Sequence, residues 1–229
     1  MHDDDQAAAW RRITATAGGD ITLATACRAC AEDLNADCLG ITLVAADDLR
    51  LLGYAGDERA ELMEDAQLVS GEGPCTEAYV TGALVEEADL HQAFERWPAF
   101  SQAAAEQHVR SVTALPLTIG ALRCGAVDLY RTTPGLLSPR HKARARAYAR
   151  ILALLTLDEH PHLLTAEPRR SRTGPQGYPA NVHVAAGILA EKHRLSTDDA
   201  LARLRAHAFR HNQPLQQAAD HVLSNHSLD

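Results

Sequence analysis

YPANVHVAAGILAEKHRLSTDDALARLRAHAFRHNQPLQQAADHVLSNH, residues 178–226, reads as three short helices and decides the architecture of the C-terminal part. In the first segment Val182, Ala185, Ile188 and Leu189 recur at the three-to-four-residue spacing of one helical face. Ser196 then stands three residues before Asp199, which predicts an N-cap followed by an acidic first turn. The helix it opens places Ala200, Leu201, Leu204 and Ala208 on one face. Pro214 suits the first turn of a third helix carrying Leu215, Ala218, Ala219, Val222 and Leu223. Isolated helices of fewer than about 12–15 residues are marginal in water, so the three are expected to hold each other up. Their small Ala and Gly positions allow close approach, and a compact three-helix bundle follows.

The run Ala185-Ala186-Gly187-Ile188-Leu189, then Asp199-Ala200, Leu204-Arg205, Ala208, Arg210-His211-Asn212, Pro214-Leu215 and Ala218-Ala219, resembles the ANTAR domain, the RNA-binding module of bacterial transcription antiterminators. Two positions depart from that pattern: Ala186 stands where a basic residue is common, and Ala190 where Met is common. The resemblance implies binding to paired short-loop hairpins in leader transcripts, favouring an antiterminator over a terminator. Unstacked loop bases are read by stacking and by hydrogen bonds from Arg, His and Asn. That assigns base contacts to Arg205, Arg210, His211 and Asn212, and phosphate contacts to Lys192, Arg194 and Arg203. Ala185, Gly187, Ala200, Leu204, Ala208, Leu215 and Ala218 are the structural positions of the motif, with Ala185 and Gly187 permitting helix packing or backbone approach to RNA.

Charge alone would not have suggested RNA. The 229-residue chain carries a net charge of −8, but unevenly: −13 over residues 1–138, +5 over 139–173, and zero over 174–229. Any affinity for RNA must come from a few placed side chains, doubled by dimerisation, and not from a diffuse basic field. The near-neutral bundle keeps a second reading open, in which it contacts protein. Hydrophobic content of 46% argues against bulk disorder. MHDDDQAAAW has neither a positive n-region nor an apolar h-region, and no apolar run approaches 18 residues, so a cytoplasmic protein without a membrane span is expected.

Upstream, residues 6–36 read as two helices broken at Gly18-Gly19, with Trp10, Ile13, Ile21, Leu23, Ala26, Cys27, Cys30 and Leu34 as an interrupted apolar stripe. Residues 38–45 and 49–54 read as a hairpin turning at Asp47-Asp48, and 57–68 as a helix. Gly71-Glu72-Gly73-Pro74-Cys75 is a tight loop whose proline starts the next helix. A short strand at 83–86, a helix around Phe100, two apolar strands at 109–119 and 122–130, and a long helix at 139–157 complete the order. In that last helix Ala143, Ala147, Ile151, Leu154 and Leu155 are expected inside.

This order, with Gly71-Glu72-Gly73-Pro74-Cys75, Arg110-Ser111-Val112, Leu115-Pro116-Leu117 and Gly125-Ala126-Val127-Asp128-Leu129-Tyr130, resembles a GAF domain of the kind fused to ANTAR modules. The expected fold is therefore α+β, a GAF-like antiparallel sheet flanked by helices, followed by an all-α three-helix ANTAR bundle. The domains divide as 1–165, a 166–177 linker and 178–229. The Gly/Pro-rich charged stretch 167–179 includes Arg169, Arg170 and Arg172, read either as a solvated tether or as a phosphate-contacting arm. The GAF resemblance implies a small-molecule ligand of unknown identity, or none, since the fold hosts many.

No catalytic residue and no metal ligand set reads from the sequence. Cys27-Arg28-Ala29-Cys30 has the CxxC form but no second ligand pair nearby, and no histidine pair, His160-Pro161-His162 included, has ligand spacing. Cys38, Cys75 and Cys124 invite comparison with a GAF-fold enzyme group that reduces free methionine sulfoxide, which would need a depressed thiol pKa and a resolving partner. A receiver-type phosphoacceptor pocket is not supported by the strand pattern. Control by a sensory domain, and a homodimer paired through helices 6–36 and 139–157, complete the expectation.

Overall fold

The computed structural model describes residues 2–44, 50–160, 180–211 and 213–228. The Asp47-Asp48 turn, the linker 166–177 with Arg169, Arg170 and Arg172, His162, and Asn212 lie outside the described residues. A five-stranded antiparallel sheet of order β2-β1-β5-β4-β3 forms the centre, from β1 (Cys38–Val44), β2 (Arg50–Ala55), β3 (Val85–Glu87), β4 (Ser111–Ile119) and β5 (Leu122–Arg131).

Alternation along the strands gives the sheet two buried faces. Leu39, Ile41, Leu43, Leu115, Leu117, Val127 and Leu129 face helices α1 (His2–Ala17), α2 (Leu23–Leu34) and α6 (Pro139–Glu159). These helices are locked together by polar contacts as well. Arg144 pairs with Asp33 at 2.7 Å and with Asp5 at 3.5 Å, and the Tyr148 hydroxyl donates to Asp33. A Thr22 capping box starts α2, and its Leu23 N–H reaches across to the Glu159 carboxylate.

The opposite face carries Cys38, Val112, Ala114, Ala126 and Tyr130 against α3 (Glu58–Ser70), α4 (Pro74–Thr81) and α5 (Pro98–Glu106), with a 3-10 turn at Leu90–Gln92. Trp97 and Phe100 pack edge to face at 6.0 Å there. The Arg110 guanidinium forks onto Asp89 at 2.9 and 3.1 Å, and Ser111 donates to the Thr133 carbonyl, which fixes the entry to β4. The boundaries of the sequence reading hold to within a few residues. Two expectations of burial fail: Ile21 lies in the α1–α2 connection 37% exposed, and Leu154 on α6 is 50% exposed.

After the undescribed stretch, α7 (Ala180–His193), α8 (Thr197–Arg210) and α9 (Leu215–Asn225) form the bundle. Ser196 caps α8 by accepting from the Asp199 N–H at 3.1 Å. Val182, Ala185, Leu189, Ala200, Leu201, Leu204, Ala208, Leu215, Ala218 and Val222 are all buried in one core. That core also takes in Val69 from the end of α3, so the bundle is seated on the sheet domain through that helix. No described helix is long and apolar enough to cross a membrane.

Gly40 sits directly opposite Asp128 in the β1–β5 register, and a Cβ there would lie 2.2 Å from Glu64 Oε1. The missing side chain is the space Glu64 occupies. Gly40→Ala should therefore lower the unfolding free energy by about 1–3 kcal/mol in urea titration, the usual cost of overpacking a filled core. An unchanged midpoint would mean that α3 shifts without cost.

Candidate nucleic-acid interface

Helix α8 presents two different surfaces. Arg203, His207, Arg210 and His211 follow at i, i+4, i+7 and i+8 and so share one stripe. Arg203, Arg210 and His211 are exposed, and the His207 and His211 rings lie 4.3 Å apart. His207 was missed by sequence reasoning, although the helical period from Arg203 was available to find it. Lys192 and Arg194 are exposed at the end of α7, beside the start of α8, with Lys192 donating to the His226 carbonyl. The candidate contacts therefore run from the start of a 14-residue helix through its middle to its end, a span of roughly 20 Å at 1.5 Å per residue. They line an extended face and do not converge on one point. Gly187 is exposed with nothing within 4 Å of an added Cβ, so helix packing does not require it. Ala185, Ala200, Leu204, Ala208, Leu215 and Ala218 are buried.

Arg205 is elsewhere. It faces away from the stripe, and its guanidinium donates to the Val69 carbonyl at 2.5 Å and to the Ser70 carbonyl, the last acceptors of α3. A cation on the carbonyl end of a helix is favoured by the helix dipole as well as by the hydrogen bonds. Gly71, the α3 C-cap at φ 73°, leaves the room: a Cβ on it would lie 2.7 Å from the guanidinium. Phe209, one turn after Arg205, is 58% exposed in a cleft lined by Val69, Ser70 and Ala99. The Leu215 N–H at the start of α9 points to the Asp65 carboxylate at 3.4 Å. Burial pushes the Asp65 carboxyl up to about 6, partly countered by that N–H.

The other face of α3 enters the sheet domain with polar side chains. Glu64 accepts from the Thr42 hydroxyl at 2.6 Å and from the Tyr130 hydroxyl at 2.7 Å. Gln67 donates to Asp128 at 2.6 Å and accepts from the Cys75 N–H at 2.8 Å. That last bond ties the Gly71-Glu72-Gly73-Pro74-Cys75 loop to α3. Gly73, at φ 132°, has no space for a Cβ beside the Gln67 amide, while the Glu72 carboxylate caps the Ala99 N–H of α5. Glu64 and Asp128 are completely buried; burial pushes Glu64 up to about 7 and Asp128 well above the carboxylate range.

The five cysteines are buried and unbridged. Burial raises the Cys27 and Cys30 thiols, and lifts Cys38 to about 12 and Cys124 to about 11. A nucleophilic or redox thiol needs the opposite shift.

Residues 180–223 match the ANTAR domain family. No curated protein matches the chain. Among solved structures, the GAF domain of an Acinetobacter phosphoenolpyruvate-protein phosphotransferase superposes at TM-score 0.51 and 14% identity, covering 68% of this chain and 95% of that one. A domain of a sensor histidine kinase protein from Sinorhizobium meliloti 1021 superposes at 0.49 and 17% identity, covering 60% and 90%. A free methionine-R-sulfoxide reductase from Thermoplasma acidophilum does so at 0.45 and 17%, covering 67% and 96%. The sheet domain thus has a GAF-type fold, and it is followed by a segment that matches the ANTAR domain. The likeness to the phosphotransferase shows the fold alone.

Glu64 binds its proton more tightly folded than unfolded, so its contribution works against the folded state as pH rises from its ordinary 4.5 through about 7. The unfolding free energy of Glu64→Gln, measured against the parent chain, should improve by about 3 kcal/mol on that climb. A difference independent of pH would mean that Glu64 is ionised in the fold.

Proposed function

We propose that the chain is a cytoplasmic, dimeric RNA-binding regulator that acts by transcription antitermination on paired hairpins in leader RNA, under control of its GAF-type domain. The observation that carries this is the ANTAR match over residues 180–223, whose second helix holds a stripe of exposed Arg203, Arg210 and His211 with half-buried His207. Guanidinium and imidazole groups along that stripe suit loop bases and their phosphates. Lys192 and Arg194 extend the reach toward flanking phosphates. Asn212, in the same motif, belongs to the proposed base contacts.

Control follows from the seat of the bundle. Arg205, a base-contact residue in the ANTAR resemblance, is held on the α3 carbonyls and is withdrawn from RNA in this arrangement. A change in the sheet domain that moves α3 would release Arg205 and the Phe209 face together. The exposed Leu154 on α6 supports pairing of two copies through the helices of the sheet domain. Two modules would then meet two hairpins, and local concentration would compensate for a neutral bundle. The second reading is a bundle that binds protein, favoured by zero net charge over residues 174–229 and by exposed Val184 and Phe209.

Filter binding of the full chain to an RNA with two tandem short-loop hairpins, against the same RNA with scrambled loops, tests the reading. Arg203→Ala and Arg210→Ala should each weaken binding roughly tenfold, within the range of a lost charged contact. Log affinity should fall against log salt with a slope of roughly −3 for about four phosphates in single-stranded loops. Asp65→Ala combined with Val69→Ser, which loosens the seat while leaving every α8 residue in place, should tighten binding. Equal weak binding of both RNAs by the parent chain and by the loosened variant would make the protein-contact reading the better one.

A further inference from the structure

The buried polar cluster between α3, α4 and β5 contains more anionic capacity than the protein neutralises. A carboxylate oxygen from Glu64, another from Asp128 and the Cys75 sulfur lie within 4.8 Å of one another, all in buried residues. Asp128 Oδ2 accepts from Gln67 and meets the Tyr130 hydroxyl at 2.9 Å, but Oδ1, equally buried, has no hydrogen-bond partner. An orphaned oxygen on a fully buried carboxylate is costly and calls for an occupant. Among the described residues, no cationic side chain stands among the groups acting on Glu64, Asp128 and Tyr130. The single Tyr130 O–H also faces both carboxylates, at 2.7 Å for Glu64, and can donate to only one of them at a time. The second contact needs a proton held on a carboxyl group, or a cation in its place.

We infer that Glu64, Cys75 and Asp128 form a binding site for a single divalent transition ion of the zinc or ferrous class. The donor set makes the selection. Two carboxylate oxygens with one thiolate sulfur suit a borderline ion, whereas calcium and magnesium require more oxygens and no sulfur. Separations up to 4.8 Å would close by up to about 1 Å to reach the donor spacing of a tetrahedral site with bonds of roughly 2.0–2.3 Å. The site is built from rigid parts. Cys75 sits in the first turn of α4, and its backbone N–H is pinned by Gln67. Asp128 lies in mid-strand, and Glu64 is confined over Gly40. Uptake releases the thiol proton and the proton shared between the carboxyl groups, so affinity rises with pH. Glu64 and Gln67 share α3 with the residues that hold Arg205, so an ion here would bear on the seat of the bundle. The binding site itself does not depend on the RNA reading.

The test uses the full chain after exhaustive treatment with a chelator, titrated with Co2+ as a spectroscopic probe and with Zn2+ while thermal unfolding is followed. The expected result is uptake of one equivalent, with thiolate-to-cobalt charge-transfer absorption and a higher melting temperature. Cys75→Ser should abolish the absorption, whereas Cys124→Ser, on the opposite face of the sheet, should retain it. Asp128→Asn, with its folding checked by circular dichroism, should weaken Co2+ at least tenfold at the same pH. Absence of stoichiometric uptake in the parent chain would overturn the assignment, as would absorption that survives Cys75→Ser.

Discussion

Everything in this chain passes through the two commitments of one 13-residue helix, α3. On one side it drives Glu64 and Gln67 into the sheet domain, where burying polar groups is tolerable only because Thr42, Tyr130, Asp128 and the Cys75 N–H answer them. On the other side its last carbonyls and Asp65 receive α8 and α9. Such a network has few alternative arrangements, because displacing one member leaves several buried groups unpaired. A packed element whose two faces belong to different domains is one physical route by which one domain can influence the other.

The same arrangement explains the loop that joins α3 to α4. Gly71 is small and left-handed where Arg205 passes, and Gly73 gives way to the Gln67 amide. One motif thus serves the interior of the sheet domain and the seat of the bundle at once. Pro74 starts α4 immediately afterwards and brings Cys75 under the sheet.

Much of this was legible in the chain. The strands from 109 to 130 announce themselves by apolar β-formers, and the bundle by helical spacing and a Ser196 cap, because local signals suffice for both. Leu154 shows the limit: spacing says which residues share a face, not whether a neighbour covers it. Arg205 and Arg210 looked alike in sequence, five residues apart, yet a helix rotates them to different sides and only one meets α3. The cluster of Glu64, Cys75 and Asp128 gave no signal, since its members come from two helices and a strand across 64 residues and no short spacing links them.

Backbone amide hydrogen exchange on the full chain, with and without the tandem-hairpin RNA, tests most directly whether the RNA face and the α3 seat exclude one another. The account predicts that RNA slows exchange at the end of α8 while accelerating it at Val69, Ser70 and Gly71, as Arg205 leaves the Val69 and Ser70 carbonyls. Slower exchange at both places would contradict it, because α3 would then be holding the bundle in its RNA-bound form.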